Sequence, residues 1–233
     1  MRTLSPSDLT AIETAVRAAE ARTTGEIYCV VTEESSHYGD TALAWAAGVA
    51  LLGPAVLLVA GVHVTIPDLF ASWSASEVGA AIETAVRRAL IGAIVVQGLL
   101  FVATAVIVSI PPVRRALTPR SVKRHRVRRR AHEQFVAKNL HLTRERTGVL
   151  IFVSLAERMA ELIADDGIAD HVEPHVWDKA MAALTDGFRR GDVEAGFAAA
   201  VRLCGDVLAE KFPARAGDNP NELPDAVVVL PKL

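Results

Sequence analysis

Two stretches without a charged side chain, Thr41–Ile66 and Ala89–Val113, set the limits on what this chain can become. At a rise of about 1.5 Å per residue, either one can cross a hydrocarbon layer of about 30 Å as a helix. Buried helices of soluble cores rarely run that far without a charge. The pair reads as a transmembrane helical hairpin over 41–113. It divides the remainder into 1–40 and 114–212, two pieces of one discontinuous domain, and a C-terminal tail over 213–233.

Charge sets the expected orientation. Residues 1–40 carry three basic and seven acidic side chains, and 131–233 carry 11 basic and 17 acidic ones. Between them, 114–130 carry nine basic residues and no acid: Arg114, Arg115, Arg120, Lys123, Arg124, Arg126, Arg128, Arg129 and Arg130. Positive residues flanking a span stay on the cytoplasmic side. The segment after the second span is therefore expected in the cytoplasm, and two crossings put both termini there, in a multi-pass protein of the cell membrane. Residues 1–40 offer no apolar core for a signal peptide. The basic run has no interleaved aromatics and directly follows an apolar span. Anionic lipid headgroups are thus the expected contact, and nucleic acid is not.

Neither span contains an ionisable acid or a lysine or arginine, so the usual ion path or proton relay has no residues to run on. Gly48, Gly53, Gly61, Gly92 and Gly98 permit close helix contact, including contact with a second copy of the chain. His63, near the end of the first span, reads as interfacial.

The remaining sequence has α/β (α+β) character. Ser5-Pro6-Ser7-Asp8 is a helix start, with a capping hydroxyl, a first-turn proline and an early acid. Leu9, Ile12 and Val16 follow on one helical face. Glu26–Thr32 reads as a buried strand. One helix and one strand cannot bury each other, so their partners must lie beyond the hairpin. Pro119 predicts a helix through the basic run to about Leu140. Gly148–Leu155 is the strongest strand pattern, and Met159–Ala164 its hairpin partner across Ala156-Glu157-Arg158. Pro174–Arg189 and a segment from Gly191-Asp192 to Pro213 carry helical spacing. The tail over 214–224 is expected to be mobile, and 226–230 to add an edge strand or stay loose. The sum is a small mixed sheet covered by helices and interrupted by the membrane hairpin.

Candidate chemistry is sparse. No nucleophile elbow, phosphate loop, dinucleotide fingerprint or zincin pair occurs. Asp165, Asp166, Asp170 and Glu173 follow the second hairpin strand as an oxygen-rich cluster of a kind that suits Mg²⁺ or Ca²⁺. A solvated turn and a helix start account for the same acids. With such a metal, Asp165, Asp166 and Glu26 are the candidates for phosphoryl chemistry. His171 and His175 stand four apart, but Pro174 between them spoils a shared helical face. Cys29 and Cys204 read as two buried thiols, and a disulfide between them is the alternative.

Three segments carry a family pattern: Gly25-Glu26 opening a strand, Thr147-Gly148-Val149-Leu150-Ile151 opening another, and Phe188-Arg189-Arg190-Gly191-Asp192 before a glycine-containing helix. Together they resemble the TPM-domain family, over residues 5–35 and 131–212. The family's glycine-rich loop after the second hairpin strand is replaced here by Asp165-Asp166-Gly167-Ile168. The resemblance implies a small sheet covered by helices, and part of the family carries phosphatase activity. The expected role is a membrane-tethered interaction or assembly module with a protein partner. A metal-assisted phosphatase is the alternative.

Overall fold

The computed structural model describes residues 4–61, 78–215 and 221–231. It divides into two units, Met1–His37 with Arg120–Leu233, and Tyr38–Pro119.

The first unit is built on a four-stranded mixed sheet. Its strands are β1 (Glu26–Thr32), β2 (Gly148–Ser154), β3 (Met159–Ala164) and β4 (Val228–Leu230), ordered β3-β2-β1-β4. β1 and β2 are parallel, starting at the pair Glu26 and Gly148. The β2–β3 hairpin is antiparallel, and Ala156, Glu157 and Arg158 form its turn as the sequence predicts. β4 runs parallel to β1 at the edge, which settles 226–230 as a strand.

β1 and β2 are buried at every position, because both faces of the sheet are covered. Ile27, Cys29 and Val31 of β1 and Val149, Ile151 and Val153 of β2 point into the larger core. Over them lie α1 (Pro6–Glu20), α7 (Asp178–Arg190) and α8 (Val193–Lys211), through residues such as Ile12, Val16, Leu184, Phe197 and Leu208. Tyr28, Val30, Leu150 and Phe152 face the other way. They meet Val127, Ala131 and Phe135 of α5 (Arg120–Ala137). Each fully buried aliphatic side chain contributes about 1.5–3 kcal/mol.

Local chemistry sets the helix ends. Ser5 caps α1 with its hydroxyl on the Asp8 N–H, and the Asp8 carboxylate returns a bond to the Ser5 N–H. α7 ends at Gly191, whose φ of 75° suits glycine, and Asp192 caps α8 through the Ala195 N–H. The basic helix is shorter than its sequence suggests. It stops at Ala137, and Asn139 turns the chain with φ 57° before a 3₁₀ turn at Leu140–Leu142. Pro174–Arg189 is likewise not one helix: Pro174–Trp177 form a 3₁₀ turn and α7 begins at Asp178.

The second unit contains α2 (Gly39–Val59), α3 (Val78–Ser109) and α4 (Pro111–Leu117). α2 packs against α3, and at Gly53 an added Cβ would lie 2.7 Å from Leu100 Cδ1. Within them, Gly39–Leu57 and Val86–Ser109 are long and apolar enough to cross a membrane. Their large apolar side chains are outward: Leu51, Leu52, Ile94 and Leu99 are each about two-thirds exposed. The second apolar run does not end as one helix, because Ile110 is extended and Pro111-Pro112 open α4. His63 lies outside the described residues.

Candidate functional site at the start of the sheet

The parallel register brings the first residues of β1 and β2 level, and the hairpin brings the end of β3 to the same place. Glu26 stands opposite Gly148, whose carbonyl accepts the Asp165 N–H at 2.9 Å. Two of the sequence candidates, Glu26 and Asp165, therefore mark one row across the sheet.

Asp165 is 3% exposed. It does not sit in a simple turn. It caps α6 (Asp166–Ala169), with Oδ1 accepting the Asp166 N–H at 2.7 Å. The same oxygen accepts Arg146 Nη2 at 3.2 Å, and Asp166 Oδ2 accepts that nitrogen at 2.8 Å. Gly167 lets α6 approach the chain here: a Cβ would lie 2.6 Å from the carbonyl oxygens of both Glu145 and Arg146. Asp165 Oδ2 is buried with no hydrogen-bond partner.

The other acids point elsewhere. Asp170 is an exposed residue at the C-terminal end of α6, and exposed Glu173 pairs with His175 at 3.0 Å. His171 Nδ1 lies 3.1 Å from the Gly167 carbonyl oxygen. Among the described residues, no three His, Cys, Asp or Glu side chains are grouped to hold a metal. Arg146 already balances Asp165 and Asp166.

Glu26 belongs to a different cluster. It is 6% exposed, and its carboxylate accepts the N–H groups of Glu222 and Leu223 at 3.2 and 3.1 Å. Burial raises its pKa, those two N–H groups oppose the rise, and Glu222 and Asp225 add to it. Next to it, Glu20 at the end of α1 accepts the Ile27 N–H at 2.8 Å. Burial pushes Glu20 up to about 8 against that bond, helped by Glu26 and by Asp225. Asp225 accepts Arg17 Nε at 3.1 Å and the Asn221 side chain at 2.6 Å. Residues 221–224, expected to be mobile, are thus fastened to the sheet. The sequence holds no local signal for this: Glu20, Glu222 and Asp225 meet Glu26 only through tertiary folding.

The nine basic residues fall on two helices. Arg114 and Arg115 lie on α4, and the other seven on α5. Arg120, Arg124 and Arg128 are exposed at four-residue spacing, on one side of α5. Arg126 donates to Ser36 Oγ at 2.8 Å, and Arg129 and Arg130 pair with Glu133. Cys29 and Cys204 are free, buried thiols, and burial pushes both up, Cys204 to about 12.

Residues 114–207, from the basic run through α8, match the sequence profile of the TPM domain. That segment is similar to the TPM domain. The fold has a solved counterpart in the NMR structure of BA42 protein from the psychrophilic bacterium Bizionia argentinensis. That likeness has a TM-score of 0.55 at 18% identity and covers 98% of this chain and 96% of BA42. It extends to the fold. No curated protein matches the chain significantly. Within the matched TPM segment lie Asp165, Asp166 and the basic helix. Glu20, Glu26 and Asp225 lie outside it, contributed by the parts of the chain that flank the match.

Proposed function

We propose that this is a membrane-tethered TPM domain that faces the cytoplasm and serves as an interaction or assembly module for a protein partner, with α5 held against anionic lipid headgroups. The observation that carries the reading is the acid-free segment from Arg114 to Arg130 with its nine basic residues, directly after a helix able to cross a membrane. Arg120, Lys123, Arg124 and Arg128 have no acidic partner among the described residues. Each basic residue close to an anionic surface contributes about 1 kcal/mol.

The test uses the full chain reconstituted in vesicles of phosphatidylcholine with or without phosphatidylglycerol. Reagent labelling of arginine is read along α5. Anionic lipid should shield Arg120, Arg124 and Arg128, and high salt should restore labelling. Equal labelling in both vesicles would overturn the lipid contact. Labelling from the lumenal side alone would overturn the cytoplasmic orientation.

A second reading, a metal-assisted phosphatase, draws support from Asp165 Oδ2, a buried oxygen with no partner beside the sheet end. Its test is phosphoester turnover across Mg²⁺, Ca²⁺, Mn²⁺ and EDTA, beside the Asp165→Asn, Asp166→Asn variant. Metal-dependent turnover lost in the variant would make the protein an enzyme. Equal turnover in both would remove these acids from any such chemistry.

A further inference from the structure

Packing fixes how α5 is turned. Val127, Ala131, Gln134 and Phe135 are buried against the sheet, so the opposite side of the helix faces out. The exposed row Arg120, Arg124 and Arg128 does not end at Arg128. Four residues on stands His132, exposed like the others. His125, also exposed, lies three residues before Arg128 and seven before His132, on the same flank. Two imidazoles therefore border the row of arginines.

Neither imidazole is engaged within the protein. Among the described residues, His125 and His132 have no hydrogen-bond or ionic partner. Glu133, the acid of α5, is taken by Arg129 and Arg130. The elements packed on α5 are β2, β3 and the 3₁₀ turn at Leu140–Leu142. Their titratable groups are Glu161 and His141, and they pack against the buried side of α5, away from His125 and His132. The loop after β1 carries Glu33, Glu34 and His37. It meets α5 through Ser36 and Arg126, on the flank opposite Arg128. The charged groups nearest the two imidazoles are thus Arg128 and Arg129 of α5 itself.

We infer that His125 and His132 belong to the lipid-facing surface of α5 and make its hold on an anionic bilayer tighten as pH falls. This rests on the lipid contact proposed above. The occupant is a bilayer because α5 follows the Val86–Ser109 span with only the short α4 between them. Histidine changes its charge between about pH 5 and 8. A negative surface favours the charged form, so association takes up protons and strengthens as pH falls. The gain levels off once both imidazoles are charged. Each new cation near the surface strengthens the contact about fivefold, and the two together up to about 30-fold.

The test places the full chain in nanodiscs of phosphatidylcholine, alone or with phosphatidylglycerol. The imidazole NMR signals of His125 and His132 are followed from pH 5 to 8.5. Their titration midpoints should lie about 0.5–1 pH unit higher in the anionic nanodiscs, and high salt should remove the difference. His175, beside α7 on the other face of the sheet, should not move. Arginine labelling of the same samples reads the underlying contact. Anionic lipid should shield Arg124 and Arg128 more strongly at pH 5.5 than at pH 8. The His125→Gln, His132→Gln double variant should keep the pH 8 shielding and lose the increase. Equal midpoints in both nanodiscs, with the arginines still shielded, would overturn this inference alone. Unshielded arginines at every pH would overturn the lipid contact with it. Midpoints raised by added duplex DNA and not by phosphatidylglycerol would overturn it in favour of nucleic acid.

Discussion

Gly187 and Gly196 meet backbone to backbone where α7 packs on α8. A Cβ on either glycine would stand 2.8 Å from the Cα of the other. No flexible side chain is there to yield. Gly196→Ala should therefore lower stability by about 1–3 kcal/mol, despite the better helix propensity of alanine. The denaturant midpoint of the detergent-solubilised protein measures it. An unchanged midpoint would mean that the two helices separate freely.

Asp165 and Asp166 are neighbours with opposite expected sensitivities. Asp165 is buried, caps α6 and holds Arg146, whereas the Asp166 side chain is 76% exposed. Asp165→Ala should cost about 1–3 kcal/mol, through the lost cap and the unbalanced guanidinium. Asp166→Asn should stay within about 0.5 kcal/mol of the parent. Thermal unfolding of both variants in EDTA separates this structural role from any metal role.

Glu26→Ala removes the acceptor of two backbone N–H groups, Glu222 and Leu223. Limited proteolysis should then cut near 221–225 faster than in the parent, with the rest of the domain still resistant. Equal cleavage rates would show that β4 alone holds the segment.

The pH profile of overall stability should carry the mark of Glu20. Its pKa rises from 4.5 to about 8 on folding, so the folded state takes up a proton between those values. The stabilisation from that proton is complete below the unfolded pKa and lost as pH rises through about 8. Melting temperatures followed from pH 5 to 9 should fall more steeply for the parent than for Glu20→Gln. Parallel curves would contradict the assignment.

Much of the frame was legible because it is written locally. Ser5 and Asp8 announce the start of α1, alternation and β-branching mark β1 and β2, and the β2–β3 turn falls at Ala156–Arg158 as read. The bare apolar runs likewise become α2 and α3. Two boundaries differ from the sequence pattern where a strong local signal hides a break. Pro174 opens a 3₁₀ turn rather than α7, and Asn139 ends the basic helix early by adopting φ 57°. The site was harder to see. Asp165 and Asp166 stood out as adjacent acids, but their fate was decided by Arg146, nearly 20 positions away in the sequence. Glu26 is marked in the sequence by its place beside Gly25. Its true neighbours come from the end of α1 and from a segment at the far end of the chain, and no periodicity spans that separation.

The shortness of β4 has a consequence of its own. Among the described residues, only Val30, Val31 and Thr32 of β1 are bordered on that side by a strand, through Val228, Val229 and Leu230. A parallel border of three residues is a modest incumbent. Any extended segment offering alternating apolar residues and a longer ladder competes for the same backbone groups. The domain therefore supplies its own placeholder along β1, and the affinity that a newcomer needs there is set by how firmly the placeholder is seated.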